Sequence, residues 1–142
     1  MSEPEIKNLY AVFKIDSDLF AVPASKVLYI MSSSDYNNRI AFPNMPRYVK
    51  GIIEAGGTLI TVVDLNGNIE KTACADNLIV VIKYDNQNIG VPVDEVQLIT
   101  VLDGDHFSDN NMGLNFFRHN GNTYSILDEQ VIGRMLSNKM NE

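Results

Sequence analysis

Few side chains in this sequence carry the equipment for covalent chemistry or metal binding. The chain has two histidines, His106 and His119, and one cysteine, Cys74. Neither histidine has a Cys or His neighbour at the spacing that zinc requires, so no zinc site is expected. Cys74 stands between Ala73 and Ala75 in an expected inter-lobe connector and reads as an incidental thiol. Ser32, Ser33 and Ser34 offer hydroxyls, but no pattern places a general base beside them. The segment Gly51-Ile-Ile-Glu-Ala-Gly-Gly-Thr58 has the outline of a phosphate-cradling loop. Gly57, however, occupies the lysine position, Glu54 brings negative charge to the loop, and a strand is expected where a helix would have to begin. Asp103 to Asn111 is rich in oxygen donors. It lacks the sixth-place glycine and the closing glutamate of a calcium loop, so a solvated loop is expected. No catalytic residue, metal site or cofactor is expected.

Size and charge narrow the remaining classes. The chain is 142 residues long, which suits one domain or two small lobes sharing a core. Eighteen acidic residues against eleven basic ones give a net charge of −7. That excess repels nucleic acid and anionic membranes, and no Lys/Arg cluster longer than a pair of neighbours offsets it. Nucleic acid is therefore not an expected partner. The start Met1-Ser2-Glu3-Pro4-Glu5 has neither the basic nor the apolar region of a signal peptide. Apolar runs such as Leu78-Ile-Val-Val-Ile82 fall far short of the ~20 residues of a membrane helix. A cytoplasmic protein without membrane insertion is expected.

The elements that must position any site read as short strands. Glycines, prolines and Asp/Asn pairs punctuate β-branched runs at regular intervals, the pattern of an all-β protein. Expected strands cover Leu9 to Ile15, Leu19 to Pro23, Val27 to Met31, Val49 to Ile53, Thr58 to Leu65, Leu78 to Tyr84, Gln87 to Pro92, Val96 to Leu102, Met112 to His119 and Thr123 to Leu127. Turns are expected at Asp16-Ser17-Asp18, Gly56-Gly57, Asp85-Asn86-Gln87 and Asn120-Gly121-Asn122. A short turn or a single helical turn is expected from Pro43 to Tyr48. Asp128 is expected to cap a helix running to about Asn138, with Val131, Ile132, Met135 and Leu136 forming one apolar stripe.

An internal repeat organises these strands. Residues 11–30 align without a gap onto residues 80–99, with identities at Val12/Val81, Lys14/Lys83, Asp16/Asp85, Val22/Val91, Pro23/Pro92, Val27/Val96 and Ile30/Ile99. A weaker echo follows each copy: Gly57-Thr-Leu-Ile-Thr-Val-Val-Asp64 is similar to Gly121-Asn-Thr-Tyr-Ser-Ile-Leu-Asp128. The expectation is two similar lobes of about five strands each, closing into small barrels that hide their edges. The lobe cores are placed at about 9–68 and 77–136 of one domain spanning 8–136, with exchange of strands between lobes allowed and tails at 1–7 and 137–142. Two such lobes create a groove and two related end surfaces, which is a binding geometry.

Three ordered blocks resemble the CheW-like family, the adaptors of bacterial chemotaxis that join chemoreceptors to the histidine kinase CheA. The first is Phe20-Ala-Val-Pro23 followed by Val27-Leu-Tyr-Ile30. The second is Pro46-Arg-Tyr-Val-Lys-Gly51, then Glu54-Ala-Gly-Gly57 and Thr61-Val-Val-Asp-Leu65. The third is Gly90-Val-Pro-Val-Asp-Glu-Val96, with Leu127-Asp128 before the closing helix. The resemblance covers roughly residues 8–136. It implies two five-stranded SH3-like barrels with a short C-terminal helix, no enzymatic activity, a groove for a receptor's cytoplasmic tip, and surfaces that dock on the regulatory domain of CheA. Carried over one residue at a time, it puts Val27, Ile30, Gly51, Gly57, Val93, Asp94 and Val96 at or beside partner-binding surfaces. By spacing alone the same valines and isoleucines read as core, the glycines as turns, and Asp64 and Asp128 as turn or cap residues. The chain departs from the family pattern at Gly56, where the family carries Arg, at Tyr29 for an acidic residue, and at Thr61 for Pro. These departures motivate a second reading, a small-ligand-binding or sensory β module that uses the groove without assembling a receptor–kinase array.

Overall fold

Runs of Val, Ile, Leu and aromatic residues, separated by turn residues that accept left-handed backbone, fold into hairpins. The computed structural model describes residues 7–32, 39–40, 48–65, 78–109 and 114–136. In chain order its strands are β1 (Lys7–Ile15), β2 (Asp18–Pro23), β3 (Val27–Ser32), β4 (Val49–Ala55), β5 (Thr58–Val63), β6 (Leu78–Tyr84), β7 (Gln87–Val93), β8 (Glu95–Leu102), β9 (His106–Asp109), β10 (Leu114–His119) and β11 (Asn122–Ile126). Helix α1 (Glu129–Leu136) follows. Three hairpins turn on a residue pair with positive φ: Gly56 and Gly57 at 60° and 82°, Asp85 and Asn86 at 45° and 65°, Asn120 and Gly121 at 51° and 82°. Turns of this hand match the twist of the strands they join.

The strands form two sheets with the orders β3-β6-β7-β5-β4 and β8-β1-β2-β11-β10-β9. Each sheet is antiparallel except for one parallel pair, β5 with β7 and β2 with β11. The hairpin that opens each repeat copy is thus built into the sheet completed by the other half: β1–β2 joins β8 to β11, and β6–β7 joins β3 to β5. The internal repeat is carried into the register. Across one sheet runs the row Val27, Ile82, Ile89, Thr61, Ile52, Ile40. Across the other runs Val96, Phe13, Phe20, Ser125, Phe116, Phe107. Each row begins in a half-buried valine and ends in an exposed apolar residue.

Alternation along the strands sends side chains to three cores. Ile53, Ile60, Val62, Ile79 and Val81 fill the inside of the first sheet. Tyr10, Val12, Ala21, Ile99, Val101, Phe117 and Tyr124 fill the inside of the second. The opposite faces meet in a larger cluster between the lobes, with Ala11, Phe13 and Ile15 from β1 against Val80, Ile82, Ile89, Val91 and Val93 from β6 and β7. Helix α1 adds Val131 and Ile132 to that shared core. Asp128 caps the helix: its Oδ1 accepts the Val131 N–H at 3.0 Å, and its Oδ2 accepts from Asn115 Nδ2 at 3.1 Å.

The all-β, two-lobed fold is as expected from the sequence, with one correction in the polar segment after Asp103. His106–Asp109 is a strand, β9, where a solvated loop was expected through Asn111. Cross-strand aromatic packing explains it. Phe107 stacks on Phe116 with ring centroids 5.3 Å apart, and the Arg118 guanidinium lies 4.7 Å from the Phe107 centroid. The strand expected to end at Leu65 ends at Val63. Residues 43–47 of the expected turn, Ser33, Ser34, Cys74, Met112 and the helix beyond Leu136 lie outside the described residues.

Candidate functional site: two edge strands with outward apolar residues

Among the described residues each sheet has two edge strands, β3 and β4 in one and β8 and β9 in the other, and β3 and β8 are the repeat-equivalent pair. An edge strand has one flank without a partner, so side chains near it cannot all be covered. On β3, Leu28, Tyr29 and Ile30 are all exposed, Ile30 at 45%. On β8, Leu98 is 63% exposed. Val27 and Val96 start these strands and are half-buried against the inter-lobe core.

The ungapped repeat alignment pairs Ile30 with Ile99, but the structure pairs Ile30 with Leu98. A register shift between Val27 and Tyr29 causes this. After the shift Ile30 lies opposite Val80, and on the other sheet Leu98 lies opposite Ala11; Val80 and Ala11 both belong to the inter-lobe core. Ile99, only 9% exposed, points into the second barrel. Sequence reasoning therefore missed Leu98. Its signal was available only as the odd–even alternation of β8, in which Val96 and Leu98 share a face.

The other residues singled out are spread over supporting positions. Val93 is fully buried in the shared core, so it sets the start of β8 from below. Asp94, exposed at the β7–β8 junction, is a clamp: its Oδ2 accepts the Asp16 N–H at 2.8 Å, and its own N–H donates to the Lys14 carbonyl at 2.8 Å. These two bonds tie the β1–β2 turn to the start of β8. Gly51 is buried at a bulge in β4 with φ of +146°, and a Cβ there would stand 3.0 Å from the Arg39 side chain and 3.1 Å from the Ile40 carbonyl oxygen. Gly57 lies at the exposed tip of the β4–β5 hairpin beside Gly56, and nothing within 4 Å would meet a Cβ at either position. Leu59, 61% exposed, follows on the same hairpin. The structure thus groups Val27 with Ile30 on one edge and Val96 with Asp94 on the other, and places Gly51 and Gly57 on a separate hairpin.

Among the described residues no group of three His, Cys, Asp or Glu could hold a metal ion. No described helix is long and apolar enough to cross a membrane. Asp64, buried at 2%, donates its N–H to the Tyr48 carbonyl and holds the end of β5.

Two barrel-like lobes that share strands and a core, with exposed apolar residues on repeat-related edges, define a two-lobed all-β module. The family model of the CheW-like domain matches residues 9–132, and the chain belongs to that family, a family of chemotaxis scaffold and adaptor proteins. Among solved structures it is similar to the scaffolding protein TtCheW from Thermoanaerobacter tengcongensis, with a TM-score of 0.71 and 18% identity, covering 90% of this chain and 88% of that one. That likeness is one of fold. No curated protein matches the chain significantly.

Proposed function

We propose that this chain is a cytoplasmic, non-enzymatic adaptor that couples the cytoplasmic tip of a chemoreceptor to the regulatory domain of the kinase CheA. It does so by docking, as one domain over residues 8–136. The observation that carries the reading is the CheW-like match along residues 9–132 together with outward apolar side chains on both repeat-related edge strands. Ile30, Leu98 and the exposed parts of Val27 and Val96 supply the contact. Val93 and Asp94 hold β8 in place for it, Gly51 shapes β4, and Gly57 shapes the hairpin tip. Apolar burial contributes about 25 cal/mol per Å² before the costs of association are subtracted, and charge selects among partners. The net charge of −7 and the absence of a guanidinium at Gly56 favour a partner surface with its own basic residues. Co-elution with the purified cognate kinase regulatory domain and with a receptor signalling fragment tests this. Formation of both complexes is expected, and absence of both at concentrations on the order of tens of micromolar contradicts it.

A further inference from the structure

The inside of the second barrel is not closed at the end where β1 turns into β2. An open cavity of about 400 Å³ lies there, with Val12, Leu19 and Tyr124 among its lining residues and Lys14, Glu95 and Asn122 around them. The placement follows from strand alternation. Lys14 and Val12 point to the same face of β1, and Lys14 lies directly opposite both Leu19 on β2 and Glu95 on β8. Val12 and Tyr124 belong to the barrel's own core and give the floor an apolar part, while Lys14, Glu95, Ser17, Gln97 and Asn122 make the rim polar, with one cation and one anion. Among the described residues no ion pair joins Lys14 to Glu95, although they face each other across neighbouring strands.

The repeat supplies an internal comparison. At the corresponding mouth of the first barrel, the counterparts of Lys14 and Glu95 are Lys83 and Lys26, and that of Leu19 is Asn88. Lys26 is committed to Glu129 on α1, Nζ to Oε2 at 3.3 Å. A lysine and a glutamate facing each other on neighbouring strands, with no ion pair between them among the described residues, are thus particular to the second barrel. Barrel mouths with a few convergent polar groups over apolar side chains are common ligand sites.

We propose that this mouth binds a small zwitterion of the α-amino acid class with an apolar side chain. The ligand's carboxylate accepts from Lys14 Nζ and the Asn122 amide, its ammonium donates to the Glu95 carboxylate, and its side chain lies on Val12, Leu19 and Tyr124. Val96 lines the same cavity, so the ligand stands beside one residue of the docking surface. The binding itself does not depend on that surface.

Calorimetric titration of the full chain with leucine, N-acetyl-leucine and leucinamide tests the proposal, with chemical-shift mapping to locate the site. Saturable binding of leucine is expected, with shifts centred on Val12, Leu19 and Tyr124. Each analogue lacks one charge and is expected to bind about tenfold more weakly or worse, as are the Lys14→Met and Glu95→Gln variants with leucine. Both residues are exposed, so the variants are expected to retain the wild-type circular dichroism spectrum. The proposal is overturned by no saturable binding at concentrations on the order of tens of millimolar. It is equally overturned by analogues or variants that bind as well as the parent pair.

Discussion

At the scale of single residues, close packing sets what this chain tolerates. Gly90 lies on β7 where a Cβ would stand 2.9 Å from the Cγ2 atoms of both Ile60 and Ile79, each fully buried. Neither isoleucine can retreat from a filled barrel, so Gly90→Ala is expected to destabilise by about 1–3 kcal/mol in urea unfolding, against the usual gain from replacing glycine in a strand. The repeat-equivalent position is Ala21, which shows that the second sheet leaves room for a methyl where the first does not. Gly133 on α1 is a second case, with a Cβ 2.6 Å from the Tyr84 hydroxyl oxygen. In a Tyr84→Phe background, Gly133→Ala is expected to stabilise by about 0.5–1 kcal/mol through helix propensity, and by less in the parent chain. Thermal melts of the two single variants and the double variant measure this.

Among the elements, helix α1 and strand β8 depend on one carboxylate each. Asp128 satisfies the Val131 N–H and also holds Asn115, so Asp128→Ala is expected to cost about 0.5–2 kcal/mol and to fray the helix from the shared core. Denaturant titration gives the loss, and amide exchange at Val131 and Ile132 locates it. The cap, the helix stripe, the positive-φ turns and nearly all strands were legible in the sequence, because each depends on short-range chemistry. Two features were not. The register shift between Val27 and Tyr29 arises from how β3 meets β6, a strand roughly fifty residues away, and it moves the counterpart of Ile30 from Ile99 to Leu98. Strand β9 arises from Phe107 stacking on Phe116, which its polar neighbours conceal in sequence. The candidate site was accordingly legible in part: Val27 and Ile30 on β3 and Val96 on β8 could be named from the sequence, whereas the exposed Leu98 could not.

For the molecule as a whole, strand exchange makes the two lobes interdependent. β1 and β2 find their outer neighbours in β8 and β11, and β6 and β7 find theirs in β3 and β5. A fragment of residues 1–70 therefore lacks partners on both sides of its first hairpin and is expected to show an unfolded circular dichroism spectrum. Mixing it with residues 71–142 is expected to restore the β spectrum. Two fragments that each fold alone would contradict this topology. Val27 at the start of β3 and Val96 at the start of β8 both pack against the shared inter-lobe core, so the proposed docking at both strands would hold two partners in a fixed relation. The docking account is tested most directly by calorimetric titration of this chain with the regulatory domain of its cognate CheA, comparing the parent with Ile30→Glu and Leu98→Glu. Leu98 is 63% and Ile30 45% exposed, so both variants are expected to keep the parent's circular dichroism spectrum, and Leu98→Glu its melting temperature as well. The expected result is micromolar binding by the parent and a loss of about tenfold or more in at least one variant. Parent and both variants binding alike, or no binding by the parent at tens of micromolar, would contradict the account.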